Sequence, residues 1–233
     1  MDRSNFQRDV TGIAALNEPV RRDLYLFVIA QEGPVGRDQA SDGVGIARHT
    51  AKFHLDKLVE DGLLDTEFKR LTGRRGPGAG RPTKLYKRSA AQFDVTLPER
   101  HYDLAGQLMA QAIDQSVRTG EPVVSALHTA AAELGAMIGA QTVAPVGPPR
   151  DEAQRLSKVC DVLATHGYEP RLADGTVTLL NCPFHLLAQE HTELVCGMNL
   201  ALLRAVAEQG DGDGLTARLH PGEDRCCVVL SVA

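Results

Sequence analysis

The stretch 44–89 constrains the fold more than any other part of this chain. Its first part has a helical pattern, in which four apolar residues recur at steps of three to five and share one face. These residues are Ala51, Leu55, Leu58 and Leu63. Two strand-like runs follow, 63–71 and 84–87, separated by a glycine-rich loop that cannot pack a core. Residues 68–88 hold eight Lys or Arg and no Asp or Glu. A helix that enters the major groove and a basic hairpin that follows phosphates would have this pattern, so we predict a winged helix-turn-helix.

The residues before this helix complete a helix-turn-helix order. Asn17 is a predicted N-cap, and Pro19 falls inside the first turn of a helix that ends near residue 31. A short helix at 37–42 and a glycine turn then lead to the longer helix. Residues 1–15 have weak periodicity, and we expect them to fray. A generic three-helix bundle is the alternative, but it does not explain the basic hairpin.

The distribution of charge supports this division of the chain. The 233 residues suffice for two modest domains, and their net charge is −5. Residues 1–89 hold 16 Lys or Arg and 12 Asp or Glu, a charge of +4, whereas residues 90–233 hold 9 and 18, a charge of −9. A DNA-reading module joined to an acidic module would show this asymmetry. Chance drift of surface charge is the alternative, and it accounts poorly for the acid-free run.

We expect a cytoplasmic protein. No N-terminal run has the apolar core of a signal peptide, and no segment has the roughly 18 apolar residues of a membrane span. In a reducing cytosol, clustered cysteines are more often metal ligands or redox groups than structural disulfides. The five cysteines are Cys160, Cys182, Cys196, Cys226 and Cys227. Cys160 lies on the apolar side of its helix, and we interpret it as a core residue.

The predicted fold class is α+β, in three parts. The winged helix-turn-helix occupies 1–89, a central helical dimerisation segment with its linker occupies 90–149, and a small α+β domain with antiparallel strands occupies 150–233. The apolar pattern of the central segment predicts two helices. The second is rich in small residues, which allow close packing. Such a pair often forms a dimer contact, although packing within the chain, on the next domain, is an almost equal alternative. We expect a homodimer, since paired half-sites multiply a modest affinity.

The C-terminal part predicts a helix, two strands, a helix and two strands. The first helix spans about 151–166, and the hairpin after it turns at Asp174-Gly175, a dipeptide that favours such turns. The second helix spans about 184–208, and the last hairpin covers 215–232. This order is typical of a compact α+β domain.

Four of the five cysteines lie in the last 52 residues of the chain. Cys182 sits where a strand gives way to a helix, so backbone N–H groups and the helix dipole favour its thiolate. Cys196 lies 14 residues further on. An unbroken helix would hold the two about 21 Å apart, so a shared metal requires a break around 189–192. Cys226 and Cys227 open the last strand and point to opposite faces, so only one is expected to join, and Cys226 is preferred.

Spacing alone does not identify a metal site. The chain has no C-x-x-C pair, and buried cysteines also serve as small apolar side chains.

Residues 17–89 resemble the winged helix-turn-helix of ArsR-like and SufR-like bacterial repressors. The resemblance lies in the segments GIARHTAKFHLDKLVEDGLL and GRPTKLYKRS. It departs from the family at Ala47, where a Ser or similar cap is usual. The resemblance implies two sets of DNA contacts. Base edges or nearby phosphates would be met by Arg48, His49 and Lys52, and the phosphate backbone by Arg74, Arg75, Arg81 and Lys84. Arg48 is the first choice for direct readout, since Arg binds guanine O6 and N7.

The C-terminal segments NCPFHLLAQEHTELVCGMNLALLRAVAEQG and CCVVL resemble the part of SufR-type repressors that carries an iron–sulfur cluster on three cysteines. This resemblance implies that Cys182, Cys196 and one of Cys226 or Cys227 are ligands. A 4Fe–4S cluster needs a fourth ligand. The other cysteine of the pair, His185, His191, a carboxylate or a small molecule would each serve. Zinc is the alternative metal, because Cys and His are its usual ligands.

The sequence thus predicts a dimeric transcriptional regulator, a repressor, that binds an operator in double-stranded DNA. A cysteine-ligated iron–sulfur cluster, responding to redox or cluster status, would control its affinity. The first alternative is a zinc- or small-molecule-responsive regulator on the same scaffold. A distant alternative is a thiol enzyme with Cys182 as nucleophile and His185 or His191 as base. The sequence contains no recognisable catalytic signature around them, and we expect no enzyme.

Overall fold

The computed structural model describes residues 3–70, 82–142, 151–209 and 215–232. The chain divides into two compact units, Asp2–Val95 and Thr96–Ala233. Each unit contains its own cluster of buried apolar side chains. Helices and antiparallel strands are combined as the α+β prediction requires, with a helix-turn-helix near the N-terminus and a sheet near the C-terminus.

The first unit is a winged helix-turn-helix. Its elements are α1 (Arg3–Ala15), α2 (Pro19–Ile29), β1 (Val35–Gly36), α3 (Arg37–Val44), α4 (Arg48–Glu60), β2 (Leu64–Lys69) and β3 (Thr83–Arg88). The strands form an antiparallel sheet in the order β1-β3-β2, with Val35 opposite Tyr86. Gly45 ends α3 with a φ of 73°, which glycine adopts without a steric penalty. The predicted glycine turn is therefore confirmed.

Two expectations for the N-terminal segment were wrong. Residues 3–15 form helix α1 rather than a frayed segment, because Ala15 is buried in the core of the first unit. Helix α2 is capped by Glu18 and not by Asn17. The Glu18 carboxylate accepts hydrogen bonds from the N–H groups of Val20 and Arg21, at 3.2 and 2.6 Å. A longer side chain, one residue nearer to the helix, thus provides the cap.

The second unit places helices beside a four-stranded antiparallel sheet in the order β4-β5-β7-β6. Its elements are α5 (Tyr102–Thr119), α6 (Val123–Ala140), α7 (Glu152–Thr165), β4 (Pro170–Ala173), β5 (Thr176–Leu179), α8 (His185–Glu190), α9 (Thr192–Gln209), β6 (Leu215–Leu219) and β7 (Val228–Val232). The predicted hairpin at Asp174-Gly175 is confirmed, and both residues have positive φ. Helix α9 supplies much of the core.

The boundary predicted at residue 150 does not separate two cores. Helices α5 and α6 contribute to the same buried cluster as the C-terminal sheet. Helix α6 lies so close to α9 that a Cβ at Gly135 would collide with the carbonyl oxygen of Leu202. At Gly139 it would lie 2.8 Å from the carbonyl oxygen of Val206. Packing within the chain, the alternative to a dimer contact, therefore accounts for this face of α6.

Helix α6 is the one helix in the described part of the chain that is long and apolar enough to cross a membrane. Its 18 residues have a mean hydropathy of 1.3, and 33% of them are buried inside the protein. The core helix of a water-soluble protein passes the same test. The close contact with α9 is the contact of a core helix, so the hydropathy of α6 is weak evidence for a membrane span.

Candidate functional site

A break in the helix brings the thiols of Cys182 and Cys196 into one region. Helix α8 ends at Glu190 and α9 begins at Thr192, so the break predicted at 189–192 is confirmed. His191 between them has φ −128° and ψ 54°, which is not helical. Cys182 and Cys196 are 7% and 8% exposed. They are near enough for a thiolate at Cys182 to raise the pKa of Cys196.

Four thiols form a continuous chain of contacts. The thiols of Cys182 and Cys226 lie close enough for each to shift the pKa of the other. The thiol of Cys227 likewise lies near those of Cys226 and Cys196, whose pKa values it shifts. Both residues of the 226–227 pair lie beside other thiols, and which of them would bind a metal stays a prediction. Both precede β7, which begins at Val228, so the alternation of side chains along a strand does not apply to them.

The pKa values of Cys182, Cys196 and Cys226 are all raised above that of an ordinary thiol. The contact with Cys226, followed by burial, raises the pKa of Cys182. Burial raises the pKa of Cys196. The contact with Cys182 lowers the pKa of Cys226, but its contact with Cys227 and its burial outweigh this and leave the pKa raised. A cation bound by these thiols would stabilise several thiolates together.

Hydrogen-bond donors point at two of the sulfurs. The N–H of Phe184 donates to Cys182, and the N–H of Val228 donates to Cys226. In each case the donor is two residues after the cysteine. The side-chain Nδ2 of Asn199 lies 3.2 Å from the Cys226 sulfur. Donors of this kind stabilise metal-bound thiolates and tune the metal.

The donor set fits an iron–sulfur cluster. Thiolates are the ligands of such clusters, four cysteines being the usual number. In the described residues no group of three or more His, Cys, Asp or Glu converges as the ligands of one metal ion do. His185 is half-buried, His191 is exposed, and neither takes part in the chain of thiol contacts. Cys160, on α7, lies outside the chain and packs against the core of the second unit.

The segment before α5 is fixed to the junction that carries Cys182. Arg100 donates to the carbonyl oxygen of Cys182 at 3.1 Å and to the side-chain oxygen of Asn181. Asn181 donates in turn to the carbonyl oxygen of Glu99 at 2.9 Å. The N–H of His101 donates to the carbonyl oxygen of Pro183 at 3.0 Å. The sequence gives little sign of these contacts, because the residues are about 80 positions apart.

In the first unit, α4 has one buried face and one exposed face. Ala51, Leu55 and Leu58 are fully buried. These side chains pack α4 against the core of the first unit. The opposite face carries the exposed side chains that are predicted to contact DNA. These are Arg48, His49 and Lys52. Ala47 makes no side-chain cap, as its identity implies.

An ion pair holds Arg48 at the start of α4. Its Nε contacts the Asp38 carboxylate, although the two side chains are 61% and 63% exposed. Asp38 lies in the first turn of α3 and also faces Arg37 at 3.7 Å. Any anionic group that contacts Arg48 must therefore compete with Asp38 for its guanidinium.

Asp56 joins α4 to strand β3. Its carboxylate accepts hydrogen bonds from Lys84 at 2.6 Å and from the Tyr86 hydroxyl at 2.9 Å, and Lys52 lies 3.7 Å away. Partial burial would raise the pKa of Asp56, but the hydrogen bonds from Lys84 and Tyr86 outweigh it and hold that pKa below its usual value. Burial and the bond to Asp56 raise the pKa of Tyr86. The contact fixes the hairpin of β2 and β3 against α4.

Comparison with known protein families identifies part of this unit. Residues 16–67 match a family model. They form a helix-turn-helix domain. The match runs from the residues before α2 into β2 and covers less than half of the chain. A search of the curated proteins and a search of the solved structures each found no match.

The helix-turn-helix domain indicates that the protein belongs to the broad class of DNA-binding transcription regulators. Within it, α4 occupies the position of the recognition helix, because it follows the turn at Gly45. Lys84, in β3 beyond the matched residues, is partly exposed and paired with Asp56. Arg74, Arg75 and Arg81 lie outside the described residues.

The sequence pattern did not identify the carboxylates of Asp38 and Asp56 as parts of this surface. Asp56 carried a signal, since it lies four residues after Lys52 on a predicted helix, a spacing that favours an ion pair. The pair of Asp38 and Arg48 depends on the angle between α3 and α4, for which the sequence pattern gave no sign.

Proposed function

We propose that this protein is a transcriptional repressor that binds operator DNA as a homodimer. The observation that carries the proposal is the helix-turn-helix domain, with Arg48, His49 and Lys52 exposed on its second helix. Arg48 reads a base edge in the major groove, and Lys84 contacts the phosphate backbone. Such a protein works in the compartment that holds its DNA, so we place it in the cytoplasm.

We further propose that Cys182, Cys196, Cys226 and Cys227 hold a 4Fe–4S cluster that controls DNA binding. The support is the chain of four thiols, three of them buried, and the N–H donors at Cys182 and Cys226. Each iron of such a cluster takes one thiolate, so ligands spread along a chain suit it better than ligands around one ion. When bound, the cluster supplies a redox-active centre that oxidants can change. A zinc-responsive regulator is the second candidate, favoured by the presence of four cysteines.

Anaerobic purification followed by iron, sulfide and zinc analysis tests the cofactor. We expect a brown protein with about four irons and four sulfides per chain, as the cluster formula requires. A colourless protein with stoichiometric zinc would support the second candidate. Iron lost from the four single Cys→Ser variants, but retained in Cys160→Ser, would assign the ligands.

Selection from random duplex DNA, followed by titration at several salt concentrations, tests the DNA-binding function. We expect an inverted repeat with half-sites about one helical turn apart, and affinity that falls steeply with salt. Loading or removing the cluster should change affinity for this repeat. Equal binding to all duplexes in both states would contradict a cluster-controlled repressor.

A further inference from the structure

Asn199 is a polar residue buried in the apolar helix α9. It is 1% exposed and lies three residues after Cys196, about one turn along the same helix. An amide buried without partners is costly. Both ends of this amide have partners: Nδ2 lies 3.2 Å from the sulfur of Cys226, and Oδ1 accepts a hydrogen bond from the hydroxyl of Tyr168 at 2.5 Å.

Tyr168 determines which end of the amide meets the sulfur. The hydroxyl donates to Oδ1, so Nδ2 is directed to Cys226. Tyr168 is itself fixed, because it is 4% exposed and its backbone N–H donates to the carbonyl oxygen of Leu163 at 3.2 Å. The Tyr168 hydroxyl, the Asn199 amide and the Cys226 sulfur are thus linked in series by two hydrogen bonds.

The contact with Asn199 distinguishes Cys226 from the adjacent Cys227. Cys226 is 1% exposed and accepts hydrogen bonds from Asn199 and from the N–H of Val228. Cys227 is only half-buried, and its contacts are with the thiols of Cys226 and Cys196. Donors to sulfur are among the groups that set the potential of an iron–sulfur cluster. In the described residues, Cys226 therefore has hydrogen-bond donors that would stabilise a metal-bound thiolate, and its surroundings suit that role better than those of Cys227.

We infer that Asn199, oriented by Tyr168, is a positioning residue that holds Cys226 as a metal-bound thiolate and raises the reduction potential of the cluster. The inference rests on the proposed cluster site and adds residues that bind no metal themselves. An N–H donor stabilises the more negative, reduced cluster, so its loss shifts the potential downward. Residues behind metal ligands commonly change metal affinity about 10- to 100-fold.

Asn199→Leu and Tyr168→Phe test the inference in the full chain. Leucine has a similar size but no donor, and phenylalanine removes only the oxygen that orients the amide. Met198→Leu is the matched control, since Met198 is fully buried on the same helix. In anaerobic redox titrations we expect a lower midpoint potential in Asn199→Leu, a smaller shift in the same direction in Tyr168→Phe, and no shift in the control.

A titration of metal-free protein with Cd²⁺, followed by thiolate absorbance, supplies a readout that needs no cluster. We expect about 10- to 100-fold weaker binding by Asn199→Leu and unchanged binding by Met198→Leu. If Asn199→Leu does not fold, Tyr168→Phe carries both measurements. Unchanged potential and unchanged Cd²⁺ affinity would overturn the inference. Wild-type protein that takes up no iron, but whose Cd²⁺ affinity depends on Asn199, would overturn the cluster and leave the positioning role intact.

Discussion

The guanidinium of Arg100 donates a hydrogen bond to the carbonyl oxygen of Cys182 at 3.1 Å. Arg100 belongs to the segment that follows Val95, where the first compact unit ends. Residues 99–101 and 181–183 are joined by further hydrogen bonds through Asn181 and His101. A change of ligation at Cys182 is therefore expected to move the segment that leads back to the helix-turn-helix domain.

Arg100→Gln should weaken this connection without removing a thiol. We expect iron and sulfide content to remain near wild type, whereas the ratio of DNA affinities with and without the cluster should fall toward one. Titration of labelled operator in both cluster states measures that ratio. Arg118→Gln, an exposed change at the end of α5, is the control. An unchanged ratio in Arg100→Gln would show that the coupling takes another route.

Arg48→Ala should cost about 1–3 kcal/mol on the selected operator and relax specificity at one base position, because a bidentate contact to guanine is lost. Asp38→Asn should act in the opposite direction on all duplexes, since it releases Arg48 from its ion pair. Affinity measured on operator and on scrambled DNA checks both. Loss of the same size on both DNAs in Arg48→Ala would indicate a phosphate contact instead.

Asp56→Asn should make the first unit less stable at neutral pH than wild type. The folded pKa of Asp56 lies below its usual value, so its carboxylate stabilises the fold above the unfolded pKa. That stabilisation is lost as pH falls through the folded pKa. Urea unfolding at a series of pH values should show the difference between wild type and variant shrinking in acid. Asp23→Asn, an exposed change on α2, should show no such trend.

Val117→Asp should disrupt the proposed homodimer. Val117 is 81% exposed and Ile113, one turn before it on α5, is 54% exposed. Exposed apolar side chains of this size are candidates for an interface. Sedimentation should show the wild type as a dimer and Val117→Asp as a monomer with an unchanged circular dichroism spectrum. Gln111→Asp, at another exposed position of α5, should remain dimeric. A monomeric wild type would contradict the dimer itself.

Much of the architecture followed from local patterns. The period of Ala51, Leu55 and Leu58 predicted the buried face of α4, and the Asp174-Gly175 pair predicted its hairpin. The 14-residue separation of Cys182 and Cys196 predicted that a shared site needs a helix break, which lies at His191. Each depends on neighbours in the chain, which the sequence displays directly.

The sequence by itself determined the order of helices and strands, the cationic stretch and the position of every thiol along the chain. Only the tertiary structure decided which groups meet: Asp56 with Lys84, Arg100 with Cys182, and Asn199 with Cys226. It also brought Cys227 into the chain of thiols, because that residue precedes the strand whose alternation was expected to turn it away. Residues 27 to 82 positions apart meet in these pairs. Such contacts depend on how whole elements pack, which no local periodicity contains.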